Sequence, residues 1–372
     1  MSVNQIIVYT MVAFMVLAAI DRCFGSRLGL GDAIDEALAA MGPLTVPMAG
    51  MILLSPMLGR FLAPIVSPFY KLLGADPALF GPSLLACDMG GYSLAYAMAE
   101  SEEAARFSGC LLGVSLGATI TFVIPVGLGL IRKSLRQYFA VGVLVGITTI
   151  PFGLIAGGFA AGFSPSLIFH NTIPVAIIAA VIALGIWKAQ AFCIRIFTWL
   201  GKLVIAVSTV GFAIGIIQEL TPLVLIENLT SVLDGIKIVG SCAIVLCGAY
   251  PFLRLVNRFL GKPLARLGKL IGIDQAAVSG ILGGIANIMP VLNGCNSMSP
   301  AGVVVSVAFA ISGSCLLGDH LGFYAAVDPE MIGAMLVTKI VGFLTAMAAA
   351  IFLCRRRGYS TRPLPEEEGA AE

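Results

Sequence analysis

From Gln137 to Trp187 the chain has no Asp, Glu, Lys or Arg, and from Gln275 to Gly318 it has none either. Each gap is long enough for two bilayer crossings, since one membrane helix needs about 20 apolar residues. No water-soluble domain is built this way. Soluble proteins carry about 25% charged residues; this chain of 372 residues carries 11%, with 59% hydrophobic side chains and a mean hydropathy of +1.00. The fold class that follows is all-α and polytopic, with the lipid bilayer as solvent and partner.

The remaining composition narrows the function classes. A net charge of +2 leaves no basic face for nucleic acid. The nine cysteines form no C-x-x-C pair and sit mostly in apolar runs, where a free thiol behaves as a small hydrophobe. No metal site and no cofactor is expected. The opening MSVNQIIVYTMVAF has no cation before its apolar run, unlike a secretory signal, so residues 4–20 are expected to be a retained first helix.

Hydropathy predicts crossings near 4–20, 42–58, 78–99, 105–131, 137–162, 166–187, 202–218, 236–253, 271–292, 301–325 and 332–354. That gives about 10–11 transmembrane helices, the third and ninth of them broken by Gly, Pro or Asn. An ungapped offset of 198 aligns RFLAPIVSPFYKLLGAD (60–76) with RFLGKPLARLGKLIGID (258–274). It also pairs Gly42 with Gly240 and Gly50 with Gly248. Two internal repeats are expected, 1–162 and 198–354, joined by a linker helix and connection at 163–197 and followed by a disordered polar tail at 355–372. Transporters are often built from two such repeats, with the substrate site between them. The R-F-L…K-L segments are expected to be in-plane amphipathic stretches or basic loops.

The connections 60–71, 132–136, 188–202 and 254–269 are basic, while 100–103 and 219–234 are acidic. With the N-terminus inside and every segment crossing, all four basic connections fall in the cytoplasm, as positive charge should. Arg355, Arg356 and Arg357 then fall outside, against the same rule. A re-entrant 271–292 would bring them in but would spoil the match between repeats.

A charge inside a span is costly and marks a candidate site. Asp88 lies in LLACDMGGYSLA (84–95), between Pro82 and Gly90–Gly91. Such residues interrupt a helix and would set free carbonyls beside a carboxylate, as in a cation site; the alternative is an Asp capping a half-helix. The offset places Asp88 one position from Asn287 in GGIANIMPVL (283–292), a second broken segment. Asp319 and His320 lie together in CLLGDHLGFYAA (315–326). Adjacent helical residues point about 100° apart, so one of the two is expected to face a cavity. His170 is expected on the surface. Thr119, Thr121, Thr148 and Thr149 could meet a ligand hydroxyl or bond back to their own helices. Tyr92, Tyr250 and Phe323 could offer aromatic faces to an ammonium or simply pack. Asp88, Asp319, His320, Asn287, Thr121 and Tyr92 form the candidate binding set.

Taken in order, LLACDMGG (84–91), TIPFGLIAGG (149–158), LCGAYP (246–251), GKLIGI (268–273) and LLGDHLGF (316–323) resemble the ethanolamine utilisation permeases, nearly end to end. That resemblance implies a multi-pass protein of the bacterial inner membrane that takes ethanolamine into the cytoplasm. The chain departs from the pattern by a shortened connection near 163–170 and by Ile288, where a second Asn is expected. The resemblance assigns no binding residue. Ethanolamine at neutral pH is mostly an ammonium with one hydroxyl, which suits Asp88 or Asp319 on the cation and Asn287 or a Thr on the hydroxyl. Facilitated diffusion through a central polar site is expected, with an ion-coupled carrier of another small amine or organic cation as the alternative; a homo-oligomer stays open. An intramembrane aspartyl protease would place Tyr-Asp, G-x-G-D and Pro-Ala-Leu in that order. Here Pro77-Ala78-Leu79 precedes both aspartates, so no enzyme is expected.

Overall fold

With no water to bond backbone groups in the bilayer, an apolar run must satisfy them internally and becomes helix. A computed structural model describes residues 3–227 and 229–365, and the regular elements among them are helical. In chain order these are α1 (Val3–Cys23), α2 (Asp32–Leu72), α3 (Phe80–Leu84), α4 (Tyr92–Met98), α5 (Glu102–Arg106), α6 (Ile124–Leu130), α7 (Arg136–Ala160) and α8 (Pro165–Lys188). The second half follows with α9 (Gln190–Leu220), α10 (Val232–Ile271), α11 (Gln275–Gly284), α12 (Met289–Gly294), α13 (Pro300–Gly313), α14 (Asp319–Val327) and α15 (Ile332–Arg357). Between α5 and α6 the chain stays helical through two i→i+5 stretches, Phe107–Gly117 and Thr119–Val123. Eight helices among the described residues are long and apolar enough to span a bilayer: this is a multi-pass membrane protein.

Of the eleven expected crossings, 78–99, 271–292 and 301–325 are the three that are not continuous. The first two are hairpins that return to the end where they start. Asp76 caps the entry to one, its Oδ1 accepting from Ala78 N–H at 2.8 Å, and its Oδ2 also accepts Glu100 N–H, at the exit, at 3.2 Å. Asp274 does the same for the other, accepting Ala277 N–H at 3.0 Å and, across the exit, Ser299 N–H at 2.8 Å. The third, α13–α14, crosses but is broken at Ser314–Gly318, a break the hydropathy did not announce.

Contacts between distant segments define two ends. At one, Asn4 donates to Glu330 O (2.7 Å), Arg106 pairs with Asp328 and Glu330 (both 3.2 Å), Lys71 with Glu100 (2.6 Å), and Asp76 N–H donates to Asn171 (3.0 Å). At the other, Arg132 N–H donates to Asn296 (2.9 Å), Ala301 N–H to Ser360 O (3.0 Å), and Arg254 reaches Gly29 O and Glu36.

Two expectations are corrected. The R-F-L…K-L segments are neither loops nor separate elements: they continue α2 and α10 as single helices. Pro43, Pro47, Pro56, Pro64 and Pro68 lie inside α2 without ending it, because neighbouring groups in a membrane bundle re-satisfy the freed carbonyls. At 1.5 Å per residue the 41-residue α2 is about 60 Å long, twice the hydrocarbon core. The side chains of Leu260, Lys269 and Leu270, part of the repeat pattern, lie outside the described residues, as do 366–372 of the expected tail. The polar tail expected from Arg355 begins as three more residues of α15, and Tyr359 then stacks edge-on against Tyr138 at 5.1 Å.

Helices meet through glycine. A Cβ on Gly50 of α2 would come within 1.9 Å of Ser208 O in α9, and one on Gly248 of α10 within 2.1 Å of Met11 O in α1. The 198-residue offset pairs these two glycines, and each helix packs on the first helix of the other half.

Candidate functional site

Three breaks converge at the centre. In the first hairpin, Leu85 and Ala86 turn extended and Gly90 takes φ +94° between α3 and α4, a conformation that favours glycine. In the second, Ile285–Ile288 separate α11 from α12. In the third, Ser314 is extended and Cys315 sits at φ +57°, a costly position for a residue with a side chain and one that clusters at functional sites. The second and third breaks are stitched together: Cys315 N–H donates to Gly284 O at 2.9 Å and Leu317 N–H to Ile285 O at 3.0 Å. The approach leaves no room for a side chain. A Cβ on Gly318 would lie 1.7 Å from Ala286 O, and one on Gly117 1.9 Å from Leu85 O in the first half.

These breaks enclose a cavity of about 70 Å³, lined by Ala86, Asp88 and Met89 from the first hairpin and Asn287 and Ile288 from the second. Ser314, Cys315, Asp319 and His320 line it from the third break, Ala118, Phe122 and Val123 from the helical segment between α5 and α6, and Leu44 from α2. Four of the six candidate residues therefore meet: Asp88, Asn287, Asp319 and His320. Both Asp319 and His320 line the cavity, where one had been expected, because they open α14 and approach the space end-on. Asn287 Nδ2 donates to Asp319 Oδ2 at 2.7 Å, and Cys315 Sγ lies 3.8 Å from the same oxygen. Asp319 Oδ1 and His320 Nδ1 are buried without a hydrogen-bond partner, and a buried orphan acceptor is costly unless something arrives to fill it.

Thr121 and Tyr92 are not brought in. Thr121 Oγ1 donates to Gly117 O at 2.9 Å, and Thr119, Thr148 and Thr149 likewise bond to carbonyls of their own helices. Tyr92 packs against Tyr96, Phe323 and Tyr324 at centroid distances of 4.6, 5.6 and 6.1 Å. His170 is exposed, with Nδ1 2.7 Å from Ser166 O.

Cys87, Asp88 and His320 bring one ligand atom each to within 4.8 Å of one another, a donor set able to hold a soft divalent ion. All nine cysteines are free thiols.

One charged group was missed from sequence. Lys339 of α15 is 1% exposed, and its Nζ donates to Ser314 O at 2.7 Å and to Val114 O and Ser312 O at 3.2 Å. The signal was present, since Lys339 is the one charge between Glu330 and Arg355.

The family described as "Ethanolamine utilisation protein, EutH" matches residues 3–353. The chain is 46% identical to the "Probable ethanolamine permease EutH" of Listeria monocytogenes, over 96% of this chain and 95% of the relative. It is 39% identical to the Salmonella typhimurium protein of the same name, over 95% and 96%. An "Uncharacterized protein YxeR" of Bacillus subtilis is 41% identical over 95% of each chain. No solved structure matches.

Proposed function

The chain belongs to the EutH family of ethanolamine utilisation proteins, and on that premise we propose that it is a carrier that admits protonated ethanolamine to the cytoplasm through the central cavity. The observation that carries this reading is the pairing of a small volume with unspent negative charge. A cavity of about 70 Å³ suits a molecule of a few heavy atoms. Asp319 Oδ1, buried and unpartnered, accepts the ammonium from one side and Asp88 from the other. Asn287 orients Asp319, and His320 Nδ1 meets the hydroxyl. A cation crossing hydrocarbon loses its hydration, and the paired carboxylates offset that cost. The movement is facilitated diffusion.

The two halves act as related repeats around this cavity. Support comes from the 198-residue spacing of the capping residues Asp76 and Asp274, from the exchanged Gly50 and Gly248 contacts, and from the matched close approaches at Gly117 and Gly318. The end bearing Arg132, Lys133, Arg136, Arg254 and Arg355–Arg357 faces the cytoplasm.

The test is uptake of labelled ethanolamine into liposomes containing the purified protein, at two pH values, with and without ion gradients, and in competition with choline. Saturable uptake that choline competes poorly, given the size of the cavity, supports the reading. Uptake no faster than in empty liposomes refutes it.

A further inference from the structure

We propose that the Lys339 ammonium is a built-in cation, seated in a cage of three backbone carbonyls where a transporter coupled to sodium would hold its ion, so that this carrier works without sodium and presents one net negative charge to its substrate. The inference rests on the ethanolamine reading only for the identity of the substrate.

The cage is made by two different segments, one helical and one broken. Val114 O belongs to the i→i+5 stretch of the first half, and Ser312 O and Ser314 O to the α13–α14 break of the second. Ser312 O and Ser314 O lie where the ladder of α13 stops, and carbonyls freed in this way at membrane depth coordinate alkali ions in transporters of broken-helix design; Val114 O completes the set from the facing helix. Here the coordinating partner is covalent. An ammonium has three donors and no acceptor, and three carbonyls surround it. A neutral amine would have one donor fewer and would point a lone pair at a carbonyl oxygen, so the geometry itself specifies the charged form.

The cage also abuts the cavity. Ser314 contributes its carbonyl to Lys339 and also lines the cavity wall. Two carboxylates, Asp88 and Asp319, with one fixed cation leave one negative charge, which a monovalent ammonium neutralises. Without Lys339, the site would hold two uncompensated carboxylates, a costly arrangement in a low-dielectric interior and one that calls for a second cation.

The test uses the full chain, Lys339→Ala to vacate the cage and Lys339→Met to keep its volume without charge. In detergent, the wild-type unfolding midpoint should be the same in sodium chloride and in N-methylglucamine chloride of equal ionic strength. That of Lys339→Ala should rise in sodium or methylammonium chloride, ions small enough to enter the cage. In liposomes, wild-type uptake of labelled ethanolamine should be equal in the two salts. Both variants should fall at least tenfold in N-methylglucamine, with only Lys339→Ala recovering in sodium or methylammonium. Sodium-dependent uptake by the wild type overturns the proposal even if neither variant folds. So does a Lys339→Ala protein indifferent to every small cation, or either variant transporting like the wild type. Absence of any wild-type uptake refutes the ethanolamine reading instead, and the unfolding arm still decides the role of Lys339.

Discussion

Asp319→Asn isolates the charge at the cavity with little change of shape. Asp319 Oδ2 is occupied by Asn287 Nδ2 at 2.7 Å, and an asparagine carbonyl can keep that bond, so folding should survive. What changes is Oδ1, buried and unpartnered, which would become an amide N–H facing the incoming ammonium. A hydrogen bond to a charged group is worth about 1.5–3 kcal/mol, and removing one partner of a buried charge pair costs about 2–5 kcal/mol. An intermediate loss of about 3 kcal/mol corresponds to roughly a hundredfold in affinity. Initial rates of ethanolamine uptake into liposomes should therefore show KM raised by about two orders of magnitude, with an unfolding midpoint within a few degrees of wild type. Asp88→Asn should behave alike. Because both carboxylates meet one ammonium, the double variant should lose much less than the product of the single losses, as coupled sites do. A KM within twofold of wild type for the well-folded Asp319→Asn protein would refute the assignment.

Other outcomes follow from the same geometry. Cys315 lines the cavity, so a thiol reagent that attaches an aminoethyl group should block uptake; ethanolamine should protect, and Cys315→Ser should abolish the sensitivity. A methyl group on Gly318 would lie 1.7 Å from Ala286 O, an overlap with backbone that cannot move aside, so Gly318→Ala should fail to give a monodisperse protein in detergent. By contrast Gly294→Ala, whose nearest contact is the flexible end of Met298 at 3.1 Å, should purify normally. Reporter fusions should place the C-terminus in the cytoplasm and the N-terminus on the opposite face; the reverse would sink the proposed orientation.

The four cavity residues were legible because a polar group in an apolar run has to be accounted for: Asp88, Asn287, Asp319 and His320 each interrupt a stretch that hydropathy alone would leave blank. Thr121 and Tyr92 were not distinguishable from packing residues, since a threonine that bonds to Gly117 O and one that bonds a ligand read alike in sequence. Lys339 stood out in its run, but its meaning depends on carbonyls of Val114, 225 positions away, and on a break at Ser314–Gly318 that contains no proline. The length of α2 was hidden for the opposite reason. Its five prolines signal helix ends in water and carry far less weight in a packed membrane bundle.

The conflict between the arginines at 355–357 and the positive-inside rule came from the assumption that every apolar run crosses. Making one run re-entrant would break the proposed correspondence between halves, but Asp76 bonds to Glu100 N–H and Asp274 to Ser299 N–H, so each half contains a hairpin, as the proposed correspondence requires. Two fewer crossings leave the termini on opposite sides. They do, however, exchange the partners of each connection. Basic connections 132–136, 188–202 and 254–269 now share an end with Arg355–Arg357, while 60–71 joins the acidic segments 100–103 and 219–234. The exception to the rule shrinks from three consecutive arginines to Arg60 and Lys71, and Lys71 is paired with Glu100 at 2.6 Å. An orientation with the C-terminus in the cytoplasm thus satisfies the charge distribution, and two hairpins entered from opposite ends bring their broken tips to one cavity.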